Sequence, residues 1–367
     1  MERRRAEQFG LAFGDLPRGR WNAITDVPGV TVGHATIVTG DGGLRTGRGP
    51  VRTGVTVIRP HDGDPVDEPV FAGFHRLNGN GELTGVQWIE ESGLLTSEIA
   101  LTNTHSAGVV RDALVAAAVR RRRTQGDQWY LPVVGETWDG ILNDIDGQHV
   151  TATDVYAALA AASSGPVREG GVGGGTGMIC HGFKGGIGTS SRIVEVGASS
   201  YAVGVLLQAN HGRRERLVID GRPVGRLIPH AEVPIPRSDL PGGAGSVIGI
   251  VATDAPLLPH QCRRLAQRVG LGIGRAGSTG ENSSGDLFLA FSTAGRGIVP
   301  PDHNLTGAGV FSVEALNGRA VGALFDAVVD AAEEAVVNAL LAAETMRGRD
   351  GIVAYALPHD RLAQLIG

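Results

Sequence analysis

Reactive chemistry in this chain is most legible at Ser246. Three features coincide there: a glycine-rich approach, Gly242-Gly243-Ala244-Gly245, a glycine directly before the serine, and the nearly continuous β-branched run Ser246-Val-Ile-Gly-Ile-Val-Ala252 after it. A run of that composition suits a strand buried on both faces, so a hydroxyl at its start is held fixed while the preceding peptide bends toward it. If that peptide breaks, Ser246 gains a free α-amine, whose reference pKa of about 7.7–8.0 lets it act as a base near neutral pH. The plain alternative is a serine that ends a loop.

Other candidates carry weaker local signals. Cys180 lies beside His181 inside the tract Gly170–Gly188 and reads as a buried small apolar residue ahead of a thiol nucleophile. The eleven histidines contain no H-E-x-x-H or comparable ligand pair, so no metal site is expected. Gly272, Gly274 and Gly277 match G-x-G-x-x-G in letters, but they follow a predicted helix, whereas a dinucleotide site needs that pattern between strand and helix. The Gly170–Gly188 tract has no P-loop Lys-Ser or Lys-Thr; it reads as tight turns and close packing, or as a backbone wall that approaches a substrate. On local grounds alone, Ser283-Ser284-Gly285 is an ordinary turn and Asn210 a turn residue before His211-Gly212. Glu136, in Gly135-Glu-Thr-Trp-Asp-Gly140, reads as a solvated loop carboxylate.

The elements that position these residues are of mixed type. Strands are predicted at Val30–Val38, Val51–Arg59, Glu98–Thr102, Ser191–Val196 with Ser200–Gln208 as a pair, Ser246–Ala252 and Asp286–Ser292. Helices are predicted at Leu83–Glu91, Ser106–Val119, Val155–Ala162 behind the caps Thr153-Asp154, and Pro259–Val269, and Ala320–Ala343 reads as a long amphipathic helix. Between the paired strands and Ser246, Pro229, Pro234, Pro236 and Pro241 lead into the glycines, a composition expected to form an exposed, mobile connection. No internal repeat is evident.

Composition sets the outer bounds. With 367 residues, 42% apolar and 19% charged, the chain suits a soluble globular protein, either one large layered α/β domain or two. A net charge of −5 supplies no attraction for phosphate backbones. The basic clusters are short, and Arg120–Arg123 reads as a solvated helix end that suits the helix dipole, so nucleic acid is not an expected partner. Cys180 and Cys262 are too far apart for a disulfide framework or zinc spacing, which fits a reducing cytoplasm. No apolar stretch is long enough to span a bilayer, and Met1–Leu16 lacks a leader's apolar run, so a soluble, uncleaved N-terminus is expected. Lys184 is the sole lysine among 33 lysines and arginines, which reads as compositional bias.

Taken in order, five long motifs resemble one family. They are Ile24-Thr-Asp-Val-Pro-Gly-Val-Thr-Val-Gly-His34, Asn78-Gly-Asn-Gly-Glu-Leu-Thr-Gly85, Leu101-Thr-Asn-Thr-His-Ser106, the glycine tract, and Gly245-Ser-Val-Ile-Gly-Ile-Val-Ala-Thr-Asp-Ala-Pro-Leu257. The family is that of the self-processing aminopeptidases typified by L-aminopeptidase D-Ala-esterase/amidase and the β-peptidyl aminopeptidases, and the resemblance covers nearly the whole chain. It implies an α,β,β,α sandwich akin to N-terminal-nucleophile hydrolases but differently connected. It further implies a single domain, 1–367, cut between Gly245 and Ser246 into chains 1–245 and 246–367, and assembly into a homotetramer. The long apolar helix lends the tetramer some support.

The resemblance also assigns roles. Ser246 is the nucleophile, Ser284 and Asp286 of Ser284-Gly285-Asp286 assist it, and Asn210 donates to the tetrahedral oxyanion. Glu136 binds the substrate's free amino group, and Trp138 stands where some members have a tyrosine, without that residue's hydroxyl. The implied activity is hydrolysis of the N-terminal residue from small peptides, amides or esters through an acyl-enzyme, with no metal or organic cofactor. Two other readings stand beside it: acyl transfer as in the similarly folded ornithine acetyltransferases, which usually use threonine, and a non-catalytic binding relative that stays one chain.

Overall fold

The computed structural model describes residues 3–121, 129–237, 245–299 and 310–366. In chain order its strands are β1 (Thr31–Thr39), β2 (Val51–Arg59), β3 (Val70–Gly79), β4 (Leu94–Leu95), β5 (Ile99–Asn103), β6 (Val133–Thr137), β7 (Ile179–Cys180), β8 (Phe183–Lys184), β9 (Gly186–Val196), β10 (Ser199–Asn210), β11 (Ser246–Thr253), β12 (Gly285–Ser292), β13 (Met346–Arg347) and β14 (Val353–Ala354). The α-helices are α1 (Val86–Ser92), α2 (Ala107–Arg121), α3 (Ala152–Ala160), α4 (Val224–Leu227), α5 (Pro259–Arg275), α6 (Val321–Ala342) and α7 (His359–Ile366).

Two sheets stack face to face. One has the order β1-β2-β5-β6, the other β4-β3-β12-β11-β10-β9. Between them lies a dry layer that includes Ile58, Ile99 and Leu101 from the first sheet and Leu206, Ile248, Ile250 and Leu289 from the second. Outside the larger sheet α5 and α6 close a second core around Val247, Val251 and Phe288, and outside the smaller sheet α2 and α3 close a third around Val55, Val57 and Val134. The result is the expected α,β,β,α sandwich, in which each sheet buries both faces. Alternation along β11 sorts its residues between two cores: Ile248, Ile250 and Ala252 face the other sheet, Val247 and Val251 the helices. All eight residues of β11 are buried, which matches the β-branched run.

Several boundaries differ from expectation for physical reasons. β3 and β6 are not predicted: β3 turns from buried at Val70–Phe74 to partly exposed at His75–Gly79, and β6 is only five residues, so neither has a sustained period. α3 starts earlier, since Asp154 Oδ2 reaches back to accept the Thr151 N–H at 2.8 Å, and Thr153-Asp154 are inside the first turn. α5 continues past Val269 through Gly270, Gly272 and Gly274, because α6 lies against it: a Cβ on Gly272 would stand 2.5 Å from the Val329 carbonyl oxygen. Of the G-x-G-x-x-G letters, Gly272 is a helix–helix contact, Gly274 faces open space and Gly277 packs against the Arg216 backbone. α6 is not amphipathic, since Ala327–Leu341 is buried throughout, and its polar Glu334 is held by Arg192 at 2.8 Å and Arg18 at 3.0 Å. The arginine cluster closes α2 with Arg120 and Arg121 exposed in its last turn, as the solvated-face reading expects. Arg121 ends α2 and pairs with buried Glu98 at 2.8 Å, while 122 and 123 lie outside the described residues. Of the proline-rich connection, 229–237 contains only turns, and 238–244 lie outside the described residues.

Candidate active site

Gly245 and Ser246 enter the larger sheet between two strand ends. Ser246 lies opposite Asn210 of β10 and opposite Gly285 of β12, so three segments converge on one point. The Gly245 carbonyl accepts the Gly285 N–H at 3.3 Å. Glycine is required at 245 because a Cβ there would press on the backbone of Asn210 and His211. Its φ is outside the left-handed region, so close approach, not backbone freedom, explains the residue. The Ser246 side chain points to the inter-sheet side, where the layer opens into a cavity of about 800 Å³ lined by Ser246, Asn210, Glu136 and Trp138.

Asn210 ends β10 and is 7% exposed, so it is a strand residue and not part of a turn. Its Oδ1 accepts the Ile179 N–H at 2.8 Å, and its Nδ2 donates to the Trp138 carbonyl at 3.0 Å. Asn210 lines the cavity, and its nitrogen, with one proton on the Trp138 carbonyl, has a second to give. Trp138 is 42% exposed, lines the cavity and contributes its backbone carbonyl to Asn210.

Glu136 is likewise not a loop carboxylate. It is the fourth residue of β6 and only 3% exposed. Glu82 donates its N–H to Oε1 at 2.8 Å, and the Thr104 hydroxyl donates to Oε2. Burial pushes its pKa up, against the pull of Thr104 and the Glu82 N–H. Among the described residues no cation pairs with it. A buried carboxylate held by neutral donors favours a cationic guest.

Ser284, directly before β12, and Asp286, its second residue, stand behind this wall. Ser284 Oγ donates to Asp286 Oδ1 at 2.7 Å, and the Asp286 N–H donates to Asn78 Oδ1 at 2.8 Å. Asp286 Oδ2 is buried without a hydrogen-bond partner among the described residues. Burial raises the Asp286 pKa, while Ser284, Asn78 and the N–H of Val247, one residue beyond Ser246, pull it down. The carboxylate thus sits beside the backbone of the proposed nucleophile.

Sequence reasoning overlooked the residues that support this site. Thr104 holds Glu136, Asn78 holds Asp286, and Asn80 donates from Nδ2 to the Ser283 carbonyl at 2.7 Å. Two of the resembling motifs, Asn78–Gly85 and Leu101–Ser106, contain these residues, so the signal was present without its chemistry. Gly177, Ile179 and Gly182 line the cavity, which gives the glycine tract its backbone-wall role, while Gly174 and Gly175 pack against the backbones of Leu101 and Gly186.

Histidines distant in sequence also meet. Among the described residues, Cys180, His181 and His211 bring ligand-type atoms within 4.8 Å of one another. Burial pushes the Cys180 thiol up to about 12 and His211 down to about 3, leaving a neutral thiol beside neutral imidazole. Arg214 donates to the carbonyls of His181 at 3.0 Å and Gly182 at 2.7 Å, and this fixed positive charge opposes a cation in the trio. Cys180 is fully buried, as a small core residue should be.

The fold places the chain among hydrolases of the N-terminal-nucleophile type. The profile of peptidase family S58 matches residues 22–354, and the chain belongs to that family of peptide hydrolases. It is 45% identical over 371 residues to the β-peptidyl aminopeptidase BapA of Sphingosinicella microcystinivorans, covering 99% of this chain and 91% of that protein. The solved β-aminopeptidase of Burkholderia sp. superposes with a TM-score of 0.91 at 50% identity, covering 99% of this chain and 98% of the other. The L-aminopeptidase D-Ala-esterase/amidase of Ochrobactrum anthropi, described as a prototype serine aminopeptidase with a variant of the Ntn-hydrolase fold, superposes with a TM-score of 0.91 at 47% identity and the same coverage.

Proposed function

We propose that this chain is a self-processing serine aminopeptidase in which Ser246 both cuts the Gly245–Ser246 bond and attacks the substrate. The supporting observation is that one cavity contains Ser246, at the head of a rigid central strand, together with the buried carboxylate of Glu136. Glu136 takes the substrate's ammonium and so directs the first acyl carbon toward Ser246. The freed α-amine of Ser246, steadied by Ser284 and Asp286, takes the hydroxyl proton as Oγ attacks. Asn210 Nδ2 donates to the developing oxyanion, an interaction whose loss typically costs about 2.7–4 kcal/mol. The proton passes to the leaving amine or alcohol, and water then releases the acyl group from Ser246.

An aminoacyl p-nitrophenyl ester tests the assignment. Acid-quenched enzyme should carry the aminoacyl mass on the peptide that begins at Ser246. An acyl group found elsewhere, or full turnover by Ser246→Ala, refutes it. The substrates are small peptides, amides and esters with a free amino terminus.

A tetramer of processed units is part of the same proposal and rests on the family. α6 lends it no support, because its apolar surface is consumed in this chain's own core. Light scattering should give a mass of about four 38.0 kDa equivalents, and a clean monomer contradicts it.

A further inference from the structure

Lys184 is the sole lysine among the 33 lysines and arginines of the chain. It is also completely buried. Its Nζ lies 2.8 Å from the Gly185 carbonyl, 2.9 Å from that of Met178 and 3.3 Å from that of Gly175, so the protonated amine places all three protons on backbone oxygens. The planar fork of an arginine cannot meet three carbonyls that converge on one nitrogen. Compositional bias therefore does not account for this position, where only the lysine head group fits the cage.

The cage has no acid hydrogen-bonded to it, and burial pushes the Lys184 pKa down to about 7, so keeping the proton there is a costly way to fill a core. What it fastens is the turn from Gly175 to Met178. Gly185 N–H donates to the Met178 carbonyl at 2.9 Å, and Met178 N–H to that of Gly175 at 3.3 Å, so the ammonium closes a knot already formed by the backbone. The next residue is Ile179, whose N–H holds Asn210 Oδ1 at 2.8 Å. That bond decides which end of the Asn210 amide faces the cavity. Rotating the amide by a half turn would present an oxygen, an acceptor, to a developing oxyanion.

We infer that Lys184 is a positioning residue for catalysis, fixing the Gly175–Ile179 turn so that the Ile179 N–H orients Asn210 as an oxyanion donor. The inference rests on the proposed roles of Ser246 and Asn210. It assigns Lys184 no contact with substrate. Lysine replacement should accordingly lower kcat and leave KM nearly unchanged, because the amine site at Glu136 lies on another strand.

A double-mutant cycle between Lys184 and Asn210 tests it, with kcat expressed per titrated acylatable serine. Asn210→Ala should lower kcat by about 100-fold or more. Lys184→Met should lower it by about 10- to 100-fold in the wild-type background, and Lys184→Arg should not restore it. In the Asn210→Ala background, Lys184→Met should change kcat less than about 2-fold, because the group it orients is gone. Equal losses in both backgrounds would overturn the inference while leaving the role of Asn210 intact. An Asn210→Ala enzyme with normal kcat would overturn that role, and this inference with it. Should Lys184→Met not fold, Lys184→Gln takes its place in the cycle. Failure of Met, Gln and Arg variants alike to fold assigns Lys184 to stability alone and also refutes the inference.

Discussion

A carboxylate's neighbours decide its function, and Glu136 shows how little of that is local. Its hydrogen bonds come from Glu82 and Thr104, which reach it from two separate segments, and the sequence Gly135-Glu-Thr-Trp-Asp-Gly140 by itself reads as a loop. Ser246 is the opposite case, because its glycine, its hydroxyl and its core strand are contiguous and need no partner to be noticed. Replacing Glu136 by Gln removes the charge and leaves the shape. Substrates with a free amine should lose about 2–5 kcal/mol of transition-state binding, whereas esters or amides without one should change little. Kinetics on matched pairs check this, and equal losses would remove amine recognition from Glu136. The pH profile follows with a definite sign. Burial raises the Glu136 pKa, so its ionised form, and with it amine binding, is lost as pH falls through a value above the ordinary carboxylate range. The acid limb of kcat/KM for amine substrates should therefore lie high in wild type and lose its Glu136 component in Glu136→Gln.

At the scale of elements, propensity and packing compete most openly in α5. The helix should weaken after Val269, where Gly270, Gly272 and Gly274 follow, yet it runs to Arg275. Contact with α6 decides the matter, which is why a reading from one strand or helix at a time ends it too early. Two glycines separate the effects. A Cβ on Gly272 would lie 2.5 Å from the Val329 carbonyl oxygen and 2.6 Å from the Ala332 Cβ, both parts of a buried helix that cannot yield cheaply. A Cβ on Gly274 would meet nothing within 4 Å. Gly272→Ala should therefore lower the unfolding midpoint, the overpacking cost of about 1–3 kcal/mol exceeding the gain in helix propensity. Gly274→Ala should raise it, with a gain approaching about 1 kcal/mol. Denaturant unfolding of the two variants gives opposite signs if packing governs here, and the same sign if propensity does.

For the whole molecule, the layer order was legible only through the family resemblance, because the β-branched runs and helical stretches by themselves define a chain of mixed α and β type and not how its layers stack. Strand order was not, since it depends on which segments meet across the sheet and no local pattern records that. The order is what matters for processing. Cutting before Ser246 would give β11 and β12 to the chain 246–367, and in the sheet these two lie side by side with β3 and β10 of the chain 1–245 on either flank. α6, also of the second chain, covers β9 and β10 of the first. The two products are thus interleaved by backbone ladders and a shared core, and neither can leave without dismantling both. The proposed cleavage would need only this protein: Ser246 Oγ would attack the Gly245 carbonyl, the amide would become an ester as the Ser246 amine is released, and water would then free the Gly245 carboxylate and the Ser246 hydroxyl. Purified wild type should therefore run as two bands on denaturing electrophoresis, the smaller beginning Ser-Val-Ile-Gly, while gel filtration without denaturant keeps both in one peak. Ser246→Ala should stay a single inactive chain of nearly the same unfolding midpoint, because β11 is fully paired whether or not the bond before it is cut. A wild-type protein that remains intact yet hydrolyses amine-bearing substrates at full rate would defeat the mechanism, since its α-amine base would not exist.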